Sequence, residues 1–277
     1  MARLKEPEPK LETIEASMNY HLDTGARPWT FTGGPGSTER RSTGKQDPHT
    51  VTIRDGRPVA GDFELDVHGF KFVRHDTKMA DFYDEAQIRT VYYPEMEEVV
   101  KKYSGAKRVL VFDHTLRLAD DDDRERRKLR EPVLRVHNDY TEWSGPQRVR
   151  DLLPDEADEL LARRFAIIQV WRPIRKPVET MPLAICDARS IHAKNLVVSE
   201  RRYPGRVGQT YAITFDPGHV WYWFPRMRRE EAVIFKVYDS MKNGRARWTA
   251  HSAFADPSSK PDSPPRESIE IRTIAFF

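Results

Sequence analysis

From residue 63 onward the chain alternates apolar and polar positions in short, well-separated runs, whereas before it the alternation is diluted. In "FELDVHGFKFV" Phe63, Leu65 and Val67 share one face of an extended segment, the period expected of a half-buried strand. In "YYPEMEEVVKKYSG" the period changes. Met96, Val99, Val100 and Tyr103 recur at i, i+3, i+4 and i+7, Pro94 suits a first turn and Gly105 a left-handed stop, so the spacing predicts a helix. A strand, "KRVLVFDHTLR", follows, and "GPQRVRDLL" and "PDEADELLARR" predict two short helices. The rest reads as strands: "RFAIIQVWRP", "PLAICDA", "TYAITFDP", "HVWYWFP", "EAVIFKVYDS", "RWTAHSAF" and "ESIEIRTIAFF", divided by Pro, Gly, Asp and Ser turns. Such spacing belongs to a β-sandwich or barrel rather than to βαβ units. The expected fold is mostly β with peripheral helices, a double-stranded β-helix (jelly roll, cupin-like).

Residues 22–61 are rich in Gly, Pro, Thr and charge, with few apolar residues in register. They predict an extended N-terminal arm at 1–61 and a jelly-roll domain at 62–277. The "RPWTF" segment gives such an arm aromatic anchors, either to cover a pocket mouth or to exchange with a second subunit in a homodimer. The block "ADDDDRERRKLREP" reads as a solvated loop between strands, not a nucleic-acid patch.

Charge narrows the partners. With 46 basic and 43 acidic residues interspersed, no dominant field favours nucleic acid or an anionic membrane, and a small-molecule partner is the expectation. No long apolar run suggests a membrane span. The single cysteine, Cys186, excludes an internal disulfide framework and a Cys-based zinc cluster, reads as a buried core thiol, and suits a reducing, cytoplasmic setting.

The candidate chemistry sits in "RVHNDYTEW". Residues two apart on a strand project to the same face, so His137 and Asp139 can reach one point. Two ligands do not define a metal site, and a core histidine followed by a turn aspartate has the same spelling. A third donor, His251 in "RWTAHSAF", completes two imidazoles and a carboxylate. That set occupies one face of octahedral Fe(II) and leaves three positions for a bidentate co-substrate and O2. Structural zinc would fill four positions, usually with thiolates this chain lacks. In "PPRESIEIR", Arg266 and Ser268 offer a planar fork and a hydroxyl to the distal carboxylate of 2-oxoglutarate. Arg272, in mid-strand, is expected to snorkel to solvent.

The candidate catalytic and metal residues are thus His137, Asp139 and His251, with Arg266 and Ser268 binding the co-substrate. Candidate substrate contacts are Tyr140, Gln169 and Trp171, the last two sharing a strand face, and Arg172, which would hold a carboxylate. Core packing for Trp171 and a surface ion pair for Arg172 are the plainer alternatives. His219 reads as a turn or surface residue. The "GGPGS" tract lacks the Lys-Ser/Thr of a phosphate loop.

Taken together, "YYPEMEEVVKKYSGAKRVLVFDHTLR", "VHNDYTEWSGPQRVRDLL", "FAIIQVWRPIRKPVETMPLAICDARSI", "GQTYAITFDPGHVWYWFPRMRREEAVIFKVYDS", "ARWTAHSAFADP" and "PPRESIEIRTIAFF" resemble the hydroxylase/desaturase family related to the cephalosporin 7-alpha-methoxylase P8 chain and to gibberellin desaturase-like proteins. The resemblance implies an iron(II)/2-oxoglutarate oxygenase of secondary metabolism that hydroxylates, desaturates or closes a ring on a small metabolite, expected here to be amino-acid-derived. It implies iron at His137, Asp139 and His251 and co-substrate anchoring at Arg266. The alternative is a jelly-roll protein that binds a metal or ligand without turnover. Its mark would be a missing ligand or anchor, and none is missing.

Overall fold

The computed structural model describes residues 10–33, 39–120 and 129–277. Most of the acidic-to-basic block lies outside them. The strands are β1 (Thr13–His21), β2 (Trp29–Thr32), β3 (Arg40–Ser42), β4 (Gln46–Asp55), β5 (Phe70–Arg74), β6 (Arg108–Leu118), β7 (His137–Asn138) and β8 (Phe165–Pro173). They continue with β9 (Leu183–Cys186), β10 (Leu196–Tyr203), β11 (Arg206–Ile213), β12 (Trp221–Trp223), β13 (Glu231–Asp239), β14 (His251–Ala253) and β15 (Glu267–Phe276). Two sheets face each other as a jelly roll. The smaller runs β5-β13-β8-β15-β6, and the larger runs β1-β4-β12-β9-β14-β7-β11-β10-β2-β3.

The predicted helix, α1 (Tyr93–Ser104), has Pro94 in its first turn, basic residues in its last, and Gly105 in the left-handed region at φ 75, whose N–H bonds Lys101 O. It buries Met96, Val99 and Val100 against Ala166, Ile168 and Val170 of β8 and Ile269 and Ile271 of β15. The alternate residues of β8, Phe165, Ile167 and Trp171, face the other way and join Val233, Phe235, Leu183, Ile185 and Tyr140 between the sheets. The smaller sheet is therefore covered on both faces, and its inner face forms one wall of the site. The two short helices are α2 (Ser144–Leu152) and α3 (Ala157–Leu161).

Two expectations need correction. Residues 1–61 are not an extended arm where the structure describes them. β1 pairs with β4 over its whole length, and β4 joins β12. Ala16, Met18, Tyr20 and Ile53 are buried with Cys186, Trp221, Trp223 and Phe254 on the far face of the larger sheet. Val136 N–H donates to Asn19 O, which brings β1 back to the chain just before β7. A third core thus lies behind the site. Each fully buried side chain of this kind contributes roughly 1.5–3 kcal/mol. In the "RPWTF" segment, β2 pairs in parallel with β10, and the Arg202 guanidinium lies 4.7 Å from the Trp29 ring centre. The second correction concerns "FELDVHGFKFV". Phe63 and Leu65 are buried, but Val67 is exposed and the strand begins only at Phe70. Gly69, at φ +84, makes the entry; an added Cβ there would lie 2.2 Å from Thr249 Oγ1.

Cys186 is fully buried, and burial pushes its thiol up to about 12, so it is an unreactive core group. Among the described residues no helix is long and apolar enough to cross a membrane.

Candidate metal centre

β7 and β14 are neighbours in the larger sheet, and His137 pairs directly with His251. Both side chains therefore face the smaller sheet, their ring centres 4.4 Å apart. Asp139, two residues beyond His137, turns its carboxylate to the same point. His137 Nε2 lies 3.5 Å from Asp139 Oδ1, and His251 Nε2 lies 4.0 Å from Asp139 Oδ2. All three donor atoms fall within 4.8 Å of one another.

The tautomers are set by the backbone. His137 Nδ1–H donates to Arg135 O at 2.7 Å and His251 Nδ1–H to Thr249 O at 3.1 Å; a carbonyl only accepts, so each Nε2 carries its lone pair inward. His251 is almost wholly buried, and burial together with neighbouring His137 lowers its pKa to about 4, which leaves it neutral and ligating near pH 7. Burial would raise the Asp139 carboxyl, but His137, Arg272 and His251 outweigh this and hold it well below the usual carboxylate range. Two imidazole nitrogens and one carboxylate oxygen converging on one point are a donor set that suits ferrous iron.

Asn138, between the two ligands, locks the arrangement. Its amide donates to Tyr140 O and Val237 O, and its carbonyl accepts from Thr249 N–H, tying β7 to β13 and to the start of β14. Gln169, fully buried on β8, donates from Nε2 to Asp139 Oδ2 at 2.5 Å, so it positions the carboxylate. Its Oε1 has no partner.

The second part of the site is the inner face of β15. Alternate residues send Ile269 and Ile271 under α1, and Ser268, Glu270 and Arg272 inward. Arg266, 3% exposed, donates from Nε to Ser268 Oγ and from Nη1 to Met181 O, and lies 5.1 Å from the Trp171 ring centre. Met181 is at φ 48, a region unusual for a residue with a Cβ; the strained backbone presents its carbonyl to the arginine. Burial and the nearby Arg117 lower the Arg266 pKa to about 9. Trp171 Nε1–H, also buried, is without a partner.

Two arginines lie elsewhere than expected. Arg272 does not snorkel: its Nη1 donates to Asp113 Oδ2 and Thr115 Oγ1, and its Nη2 to Glu270. The inward face it occupies is polar, so its charge is met by carboxylates rather than water. Arg172 is on the α1 side of β8, fully buried, donating to His75 O and Arg229 O and stacked near Tyr92. It lies an odd number of residues from Gln169 and Trp171, so it faces the opposite side of β8 from them and from the metal centre. Tyr140 packs at the inner wall, where burial raises its phenol pKa. A cavity of about 580 Å³ beside α2, lined by Trp143, Arg148, Leu152 and Val207 among others, includes none of the three ligands. Sequence reasoning missed Met181, Glu270 and Arg117. The legible sign for Glu270 was the unbroken polar alternation from Arg266 to Arg272.

Comparison with known proteins agrees with this geometry. A family model described as "Oxidoreductase/YMDC permease-like domain" matches residues 18–276. "Hydroxylase/desaturase efuI" of Hormonema carpetanum is 32% identical across 96% of this chain and 95% of its own. "Fe(II)/2-oxoglutarate-dependent dioxygenase nvfI" of Aspergillus novofumigatus is 33% identical across 90% of each. The chain belongs to the iron(II)/2-oxoglutarate-dependent oxygenases. The solved structure of the "iron and alpha-ketoglutarate-dependent endoperoxidase NvfI" superposes on it with a TM-score of 0.85 at 29% identity, covering 95% of this chain and 98% of that one. As an oxygenase of this family, it has hydroxylation, desaturation and oxidative ring closure as its range of outcomes. The triad His137, Asp139 and His251 is its metal centre.

Proposed function

We propose that Arg266 and Ser268 bind the distal carboxylate of 2-oxoglutarate beside the iron centre, and that the enzyme oxidises an unactivated C–H bond of a small secondary metabolite. One observation carries the reading. Arg266 is buried on the inner face, and no carboxylate among the described residues pairs with it. A buried guanidinium left without an anion costs several kcal/mol, and a co-substrate carboxylate removes that cost. When bound, iron(II) supplies the oxidising chemistry, reducing dioxygen while 2-oxoglutarate is decarboxylated to succinate.

The chain's own residues bind, orient and exclude water. Gln169 holds the Asp139 carboxylate in place, and Trp171, Tyr140 and Phe235 keep the wall apolar around it. Small displacements of the substrate select the outcome of the oxidation. The expectation of an amino-acid-derived substrate leaned on cationic residues near the pocket, of which Arg172 is committed to backbone carbonyls on the other face. The proposal is therefore limited to a small metabolite. The cytoplasm is the compartment we assign, supported by the lone buried thiol.

Anaerobic titration with Fe(II) and then 2-oxoglutarate tests this. The wild type develops a weak visible charge-transfer band, His251→Ala abolishes it, and Arg266→Met weakens 2-oxoglutarate binding by at least about tenfold. Succinate formation in air separates an oxygenase from a metal-binding jelly roll. Absence of the band in the wild type overturns the proposal.

A further inference from the structure

Three arginines line the inner face beside the co-substrate anchor, and they differ in how their charge is met. Arg272 is neutralised by Asp113 and Glu270. Arg266 has only neutral partners. Arg117, half-buried on β6, donates from Nη1 to Glu131 O at 2.9 Å and makes no ion pair among the described residues. Register places Arg117 directly opposite Ser268, the residue over which the Arg266 guanidinium folds. Pairing continues one step further, with Ala119 N–H donating to Arg266 O, so Arg117 and Arg266 are diagonal neighbours on the same face. Side chains so related start about 7–8 Å apart at Cα, well within reach of two long arginines.

We infer that Arg117 is a second cation for 2-oxoglutarate, so that the distal carboxylate is held between two guanidiniums, Arg266 from β15 and Arg117 from β6, with the orphan Trp171 indole N–H as a further donor. Two like charges side by side repel, and burial and Arg117 already depress Arg266. An anion between them removes the repulsion and satisfies both forks. Glu270 attracts both guanidiniums but is ion-paired with Arg272 through Oε1, and among the described residues it makes no ion pair with Arg117 or Arg266. A carboxylate has lone pairs for both arginines, as its two oxygens offer about four acceptor sites.

The inference rests on the proposed co-substrate site, and the test separates the two. In the anaerobic Fe(II) protein, 2-oxoglutarate affinity is read from the charge-transfer band for wild type, Arg117→Met, Arg117→Lys and Arg266→Met. The same titration uses 2-oxovalerate, which has the same length without the distal carboxylate. Arg117→Met is expected to weaken 2-oxoglutarate about ten- to a hundredfold, Arg117→Lys to recover part of the loss, and 2-oxovalerate affinity to stay within twofold. Iron affinity, measured by chelator competition, also stays within twofold. Unchanged 2-oxoglutarate affinity in both Arg117 variants, or an equal loss for 2-oxovalerate, overturns the role of Arg117. A wild type without the band, or an Arg266→Met protein that binds normally, overturns the parent site instead.

Discussion

Gln169 gives the sharpest test of how the second layer holds the iron ligands. Gln169→Leu keeps the volume, removes the Nε2 donor to Asp139 Oδ2, and also removes the partnerless Oε1. A hydrogen bond to a charged group contributes about 1.5–3 kcal/mol, and each 1.4 kcal/mol is tenfold, so iron affinity should fall about ten- to a hundredfold. Stability should move little, because Asp139 keeps partial exposure and a water can replace the lost donor, while an unmet buried acceptor disappears. The assay is anaerobic Fe(II) binding against a chromophoric chelator, paired with thermal unfolding of the metal-free protein. Unchanged iron affinity at unchanged Tm would mean that Asn138 and the backbone alone fix Asp139. A large fall in Tm would mean that Gln169 is a core residue first, and the positioning argument would fail.

Three further outcomes follow from the same contacts. Arg172→Met leaves two partly buried carbonyls, His75 O and Arg229 O, without their donor; it should destabilise by about 1–3 kcal/mol in urea unfolding with iron and 2-oxoglutarate affinities unchanged. Met18→Ala should cost about 2–5 kcal/mol by the same measurement, since Met18 is 1% exposed in the core behind the larger sheet, whereas an arm residue would cost nothing. Acidification should destabilise the metal-free protein: burial lowers His251 and His219 each to about 4 in the fold, so the unfolded chain binds the proton first, and stability present above pH 6.5 is lost as pH falls toward 4. Each histidine contributes on the order of 3 kcal/mol over that window, and His219→Gln should flatten the urea-midpoint profile between pH 7 and pH 4.

The parts legible in the sequence are those where one residue type dictates one geometry. Pro94, the apolar spacing from Met96 to Tyr103 and Gly105 specify α1 at both ends. His137, Asp139 and His251 were legible because strand period puts the first two on one face and a later strand supplies a second imidazole. β1 and β4 were not legible, and the reason is physical. Ala16, Met18 and Tyr20 do alternate, but Ala16 and Met18 are weak strand signals, and β4 carries Pro48 and only two strongly apolar positions, Val51 and Ile53. Their burial comes from a face of the larger sheet assembled from β9, β12 and β14, far along the chain. In "FELDVHGFKFV" the failure is the reverse: alternation is present at Phe63 and Leu65, but strand needs a partner, and β13 pairs only from Phe70 onward. Alternation reports which side chains are buried before it reports which backbone is paired.

The same principle accounts for Arg172 and Arg272, whose surroundings depend on face and not on identity. A strand inside a two-layer fold has two buried faces, and β15 uses them differently. Ile269 and Ile271 hold the sheet to α1, while Ser268, Glu270 and Arg272 face inward, where burying charge is costly unless it is paired. Pairing is therefore diagnostic. Arg272, tied to Asp113 and Glu270, has its charge met within the protein and can keep the wall rigid without a ligand. Arg266 lacks such a partner a few residues away on the same face, so the fold retains there a charge that only an incoming anion satisfies. The contrast between these two arginines, and not the presence of arginine as such, is what supports the proposed site for the co-substrate carboxylate. It also predicts which substitution matters: replacing Arg272 should loosen the wall and lower stability, whereas replacing Arg266 should above all remove affinity for 2-oxoglutarate, its stability cost being the lost bonds to Met181 O and Ser268 Oγ offset by removal of an unpaired buried charge.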